Sequence, residues 1–182
     1  MLKNIFLIGC LLVLIIFILS SCMSNTALST KEIQVVPNVD IEKYLGKWYE
    51  IVRLPNSFEK GLFNITATYS LLDNGQIKVL NEGKKETKPD KRQKAEGRAW
   101  IPDKNIPGLL KVSFFLCFAA DYKIIKLDTQ NYQYAVVTSN TKKYLWILSR
   151  TPIMDEPLYI ELISFCKEKG FEIEKLIRVK HE

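Results

Sequence analysis

From Trp48 onward the chain alternates apolar and polar side chains in short runs. Trp48 to Leu54, Ile65 to Leu72, Gln76 to Asn81, Gly97 to Ile101, Leu109 to Phe115, Tyr122 to Leu127, Tyr132 to Thr138 and Tyr144 to Ser149 are rich in β-branched and aromatic residues, and each reads as a strand. Asp73-Asn74-Gly75 is a strong hairpin turn, and Pro107-Gly108, Asp128 to Asn131 and Ser139 to Thr141 are weaker ones. About eight short strands joined this way predict an all-β fold, an antiparallel sandwich or barrel. One helix follows late. Asp155 is placed to cap it, Glu156 and Pro157 suit its first turn, and Leu158, Leu162, Phe165 and Cys166 form one apolar stripe. Glu161, Lys167, Glu168 and Lys169 keep the other face polar, so the helix packs on the outside of the sheet, and Gly170 ends it. Leu176 to Val179 is long enough for a short closing strand.

The first residues follow a different pattern. Lys3 precedes an apolar run from Ile5 to Leu19, which stops at Leu19-Ser20-Ser21-Cys22. The run is short for a stable span, since crossing the hydrocarbon takes about 20 apolar residues. A charged start, an apolar middle and a small-residue end make a signal peptide. This segment resembles a bacterial lipoprotein signal, which implies that Cys22 is acylated and becomes the mature N-terminus. The division expected is a signal peptide over 1–21, a lipidated flexible tether over 22–36 and one folded domain over 37–182. The same resemblance implies, from Met23 after the cysteine where the family's inner-membrane members carry aspartate, an outer-membrane location, with the protein expected to face the periplasm.

Charge and cysteines narrow the picture little. The formal charge of +6 falls to +5 when Lys3 leaves with the signal, and an exported chain without a base-stacking motif is not expected to bind nucleic acid. With the signal removed, Cys22, Cys117 and Cys166 remain. An oxidising compartment permits a Cys117–Cys166 disulfide, but the spacing does not demand it. His181, the single histidine, is penultimate, and the reading places it outside the folded core. No Gly-x-Ser-x-Gly, metal-spaced cluster or glycine-rich phosphate loop occurs, so neither an enzyme nor a metal or cofactor is expected.

Gly46-Lys47-Trp48 within "YLGKWYEIVRLP", followed in order by "FEKG", "TATYSL", "NGQIKVLN", "LKVSFF" and "YLWILSRTP", resembles the bacterial lipocalins of the outer-membrane lipoprotein kind, with a more distant similarity to apolipoprotein D. The match spans Val39 to Val179. It implies an eight-stranded antiparallel up-and-down barrel with the C-terminal α-helix against its wall. It implies too that Trp48 plugs the closed end, that Arg150 stacks on its indole, and that Gly46 lets the chain pass close to that ring. A second family motif, a Thr-Asp-aromatic turn, is altered here to "LDTQNYQY", in which Asp128 keeps the acidic position.

With Arg150 at the floor, Leu148, Trp146 and Tyr144 face inward by the period of two. Trp48 inward likewise puts Glu50, Val52 and Leu54 inside and Tyr49, Ile51 and Arg53 on the outer wall, and Glu50 then needs a partner. Tyr69, Ile77, Val79, Asn81, Val112 and Phe114 complete the expected ligand-binding wall, on composition and on the resemblance. Between Gly83 and Lys94 a loop at the open end is expected, whose Lys84, Lys85, Lys88, Lys91, Arg92 and Lys94 would steer anionic headgroups. The resulting expectation is a carrier or store for a fatty acid or lysophospholipid, held to the membrane by its lipid anchor. A structural envelope lipoprotein with a filled barrel is the alternative, and an enzyme acting on lipid a lesser one. The sequence leaves the ligand's headgroup and the oligomeric state open, a homodimer included.

Overall fold

The computed structural model describes residues 28–115 and 118–182. The signal segment, Cys22 and Cys117 lie outside them. Nine strands follow a short helix α1 (Ile41–Tyr44): β1 (Gly46–Arg53), β2 (Leu62–Leu71), β3 (Ile77–Lys85), β4 (Lys88–Trp100), β5 (Leu109–Phe115), β6 (Phe118–Leu127), β7 (Tyr134–Thr138), β8 (Leu145–Ser149) and β9 (Ile177–Arg178), with α2 (Glu156–Glu168) between the last two. Antiparallel neighbours run in chain order from β2 to β8. β8 then pairs with β1 and β1 with β2, which closes an eight-stranded barrel. β9 adds a short edge beside β1, where the closing strand was expected.

Two apolar cores follow from the alternation. The inner one contains Trp48, Tyr69, Ile77, Val79, Ala99 and Leu148. The outer one lies under α2 and joins Ile51, Val52, Val136 and Ile147 to Leu162 and Cys166. Gly170 leaves α2 at a φ of +77°, in the left-handed region that stops a helix cheaply only at glycine. Asp155 stands at the N-cap, but its side chain makes no capping bond. Cys166 is a buried free thiol, and burial pushes its pKa up to about 12, so it is unreactive at neutral pH.

Four expectations need correction. β1 has a bulge between Glu50 and Val52, where Ile51 is the extra residue opposite β8. One inserted residue reverses the parity beyond it. Arg53 therefore turns inward, and Val52 and Leu54 turn to the outer core. The expected loop 83–94 is instead the upper part of the β3–β4 hairpin, with the turn at Glu86 and Thr87. Its charges alternate over a ribbon and give no apolar strand signal. His181 is not outside the fold: its Nε2 lies 2.8 Å from the Glu50 carbonyl oxygen and its ring meets Tyr49 edge-on at 5.5 Å. The described part of the expected tether is also docked. Ser29 bridges Thr141, Thr30 is fully buried, and the Val36 N–H donates to the Ile124 carbonyl at 2.8 Å.

Candidate functional site

The closed end is built around Trp48. Gly46 adopts a φ of +93°, and a Cβ there would stand 3.3 Å from Arg150 Nη1. This lets the Arg150 guanidinium sit over the indole face, its central carbon 3.8 Å from the ring centroid. Its nitrogens donate to the carbonyls of Tyr132 (3.1 Å), Lys47 (2.9 Å) and Lys43 (2.7 Å), and the Trp48 Nε1–H donates to Tyr44 O at 2.8 Å. The Asp128 corner supplies one of those acceptors. Its carboxylate accepts from the N–H groups of Gln130, Asn131 and Gln133, and this holds Tyr132 at a φ of +56° with its carbonyl toward Arg150. The Tyr132 hydroxyl in turn accepts from the Asp40 N–H at the start of α1, the helix that crosses the floor.

Above the plug the barrel is hollow. A cavity of about 630 Å³ rises from Tyr44 to the rim, within the ~300–1,000 Å³ usual for small-ligand sites. Tyr69, Ile77, Val79 and Asn81 from β2 and β3 line it, as do Val112 and Phe114 from β5 and Trp146 and Leu148 from β8. Tyr144, just before β8, lines it as well. Phe114 sits near the mouth and is 42% exposed. Its ring is seated by Gly97, where a Cβ would stand 2.7 Å from a ring carbon. The hairpin cations between Lys84 and Lys94 do not line the cavity; β3 meets it at Ile77, Val79 and Asn81 and β4 at Ala95 and Ala99.

Two polar clusters in this cavity were not foreseen. At the floor the Tyr122 hydroxyl bonds to those of Tyr44 (2.7 Å) and Tyr69 (2.9 Å). Burial raises all three pKa values, Tyr69 to about 12, so the cluster stays neutral at physiological pH. The second cluster follows from the β1 bulge. Arg53 Nε lies 3.2 Å from Glu50 Oε1 and 3.8 Å from Glu59 Oε2, while its Nη2 donates to Glu59 O at 2.9 Å. Glu59 also accepts from Asn56 Nδ2, and from Trp146 Nε1 at 3.2 Å. This explains where Glu50 finds its partner. Trp146 stacks on Tyr144 at 5.9 Å and 7°, with Phe58 at 6.4 Å. "FEKG" carried a hint of Glu59, whereas the hydroxyl triad, drawn from α1, β2 and β6, leaves no local signal.

Burial, with the Glu59 carboxylate as second cause, lifts the Glu50 pKa well above its ordinary 4.5 despite Arg53. A raised folded-state value means that the stabilising contribution is complete below about 4.5. It is lost as pH rises from there through the folded value. Glu50→Gln should therefore flatten the stability–pH curve above pH ~4.5 and leave neutral-pH stability equal to or above that of the parent. Urea melts at stepped pH measure this. A large loss at neutral pH in the Gln variant would mean that Glu50 is ionised and needed by Arg53.

The lipocalin-like domain family matches residues 39–181. The chain is 41% identical over 169 residues to the outer membrane lipoprotein Blc of Vibrio cholerae, covering 92% of this chain and 98% of that one. It is 40% identical to Blc of Escherichia coli K12, with 90% of each chain covered. Mouse apolipoprotein D is 40% identical over 151 residues, 78% of this chain and 77% of its own. Among solved structures, insecticyanin of the tobacco hornworm Manduca sexta superposes with a TM-score of 0.68 at 18% identity, over 82% of this chain and 85% of that one, a likeness of fold. A closed eight-stranded barrel, an external helix and a Trp48–Arg150 floor agree with a family match over nearly the whole folded part: the chain belongs to the lipocalin family.

Proposed function

We propose that the protein is an outer-membrane lipocalin, anchored through an acylated Cys22 and facing the periplasm, that stores or transports a fatty acid or lysophospholipid. The cavity is the observation that carries this reading: about 630 Å³ of mostly apolar and aromatic lining, enclosed below and open above. An acyl chain suits the wall between Ile77 and Trp146, and the Arg53–Glu59 cluster suits a polar group near the entrance. A filled structural barrel would need side chains where this volume stands, so the ligand-free alternative is disfavoured. The two bacterial relatives are named outer membrane lipoproteins, which supports the location.

A fluorescence titration tests the reading. Trp146 faces the cavity, whereas Trp48 is sealed beneath Arg150. Adding a long-chain fatty acid should shift or quench emission saturably, and Trp146→Phe should abolish most of the change. An unresponsive parent, or an equal response in the Phe variant, would place any binding elsewhere.

A further inference from the structure

The N-terminal segment leaves the barrel at its open end. Ser29 bridges Thr141, the Thr30 N–H and hydroxyl bond to the carbonyls of Asn140 (3.3 Å) and Ser139 (2.5 Å), and the Lys142 N–H donates to Leu28 O at 2.7 Å. Lys123 Nζ locks the same turn by donating to Thr30 O at 2.8 Å. Ser139 and Asn140 themselves line the cavity mouth. Cys22 lies six residues before Leu28, a stretch that can span at most ~21 Å in any conformation. A ten-residue strand such as β2, rising about 3.3 Å per residue and tilted ~40°, makes the barrel wall ~25 Å tall. A lipid on Cys22 is thus too closely tied to the mouth for the closed end to rest on the membrane.

The mouth has the surface that such a position calls for. Phe58, Phe115 and Phe118 border the cavity and are 60%, 68% and 74% exposed, side chains that a free aqueous rim would not favour. Beside them the β3–β4 hairpin carries six cations against two carboxylates between residues 83 and 94. Lys143 adds an exposed cation at the β7–β8 turn. Exposed phenylalanines within a basic border match an anionic lipid surface.

We propose that the open end of the barrel docks on the anionic leaflet that carries the anchor, so that the cavity exchanges its ligand directly with that leaflet. The proposal rests on the reading of Cys22 as the anchor and of the cavity as the lipid site. It makes the hairpin cations a docking border; their expected role was to steer free ligand.

Depth-dependent quenching tests it. The full acylated protein, carrying Cys117→Ser so that only an introduced thiol reacts, is labelled with a fluorescent probe at Phe118→Cys or at Asn74→Cys. Asn74 stands in the β2–β3 turn at the opposite end. Both forms are reconstituted in phosphatidylethanolamine–phosphatidylglycerol vesicles containing a lipid with a nitroxide near its headgroup. The Phe118 probe should be quenched several-fold more than the Asn74 probe, and Phe58→Ser with Phe115→Ser should reduce that difference several-fold. Equal quenching at the two ends, an unchanged difference without the two rings, or failure of every form to float with vesicles overturns the docking. Flotation of the Cys22→Ser chain tests the anchor separately: if it still floats with its Phe118 probe quenched, docking stands and the anchor reading falls.

Discussion

Replacing Trp48 by alanine is expected to cost about 3–5 kcal/mol, the range for deleting a large buried aromatic. The ring is fully buried and bonded through its Nε1 to Tyr44 O. The stacking contact with Arg150 should contribute only about 0.5–2 kcal/mol of this. Arg150→Ala should nevertheless be costly in its own right, because it leaves the carbonyls of Lys43, Lys47 and Tyr132 without their donor. A double-mutant cycle by chemical denaturation separates these terms: the coupling should be clearly above zero and well below the single Trp48 loss. Additive losses would mean that the two side chains do not touch in solution.

Arg53→Met is the other large expected effect, and it depends on the bulge. Arg53 is 3% exposed and faces Glu50 and Glu59, which are 4% and 7% exposed. Removing one partner from a buried charged group typically costs ~3–5 kcal/mol, because the remaining charge is left uncompensated. Here Glu50 and Glu59 both lose their cation, and Glu50, raised by burial and by Glu59, loses the one neighbour that lowers it, so the loss should deepen as pH rises. Combining Arg53→Met with Glu50→Gln should recover part of the stability. Were Arg53 on the outer wall, as unbroken alternation predicts, Arg53→Met would be nearly neutral and the rescue absent.

The reach of the sequence can be judged from these same residues. Trp48, Gly46 and Arg150 were legible because their roles attach to a short motif, and β8 was legible because no irregularity interrupts its alternation from Tyr144 to Ser149. β1 was legible only as far as Glu50. A single extra residue at Ile51 changes the side of everything after it, and nothing in "YEIVRLP" marks the insertion. The β3–β4 ribbon was hidden because its residues face water on both sides and lack an apolar period. Residues 28–36 read as a linker because they dock mainly through backbone bonds and Thr30, to which hydrophobic patterning is blind. The floor triad brings together residues 53 and 78 positions apart, a juxtaposition made only by barrel closure.

The central claim, that the hollow of the barrel is where a lipid resides, is tested most directly by calorimetric titration of a long-chain fatty acid into the parent and into Ala67→Trp. Ala67 lines the cavity from β2 between the rows of Ile65 and Tyr69, so an indole there would occupy acyl-chain space while the strand pairing is kept. The parent should bind one chain per barrel, and the folded Trp variant should bind at least about tenfold more weakly, a difference of ~1.4 kcal/mol. Equal affinity and stoichiometry in the two proteins would contradict the account, since the lipid would then be held outside the cavity.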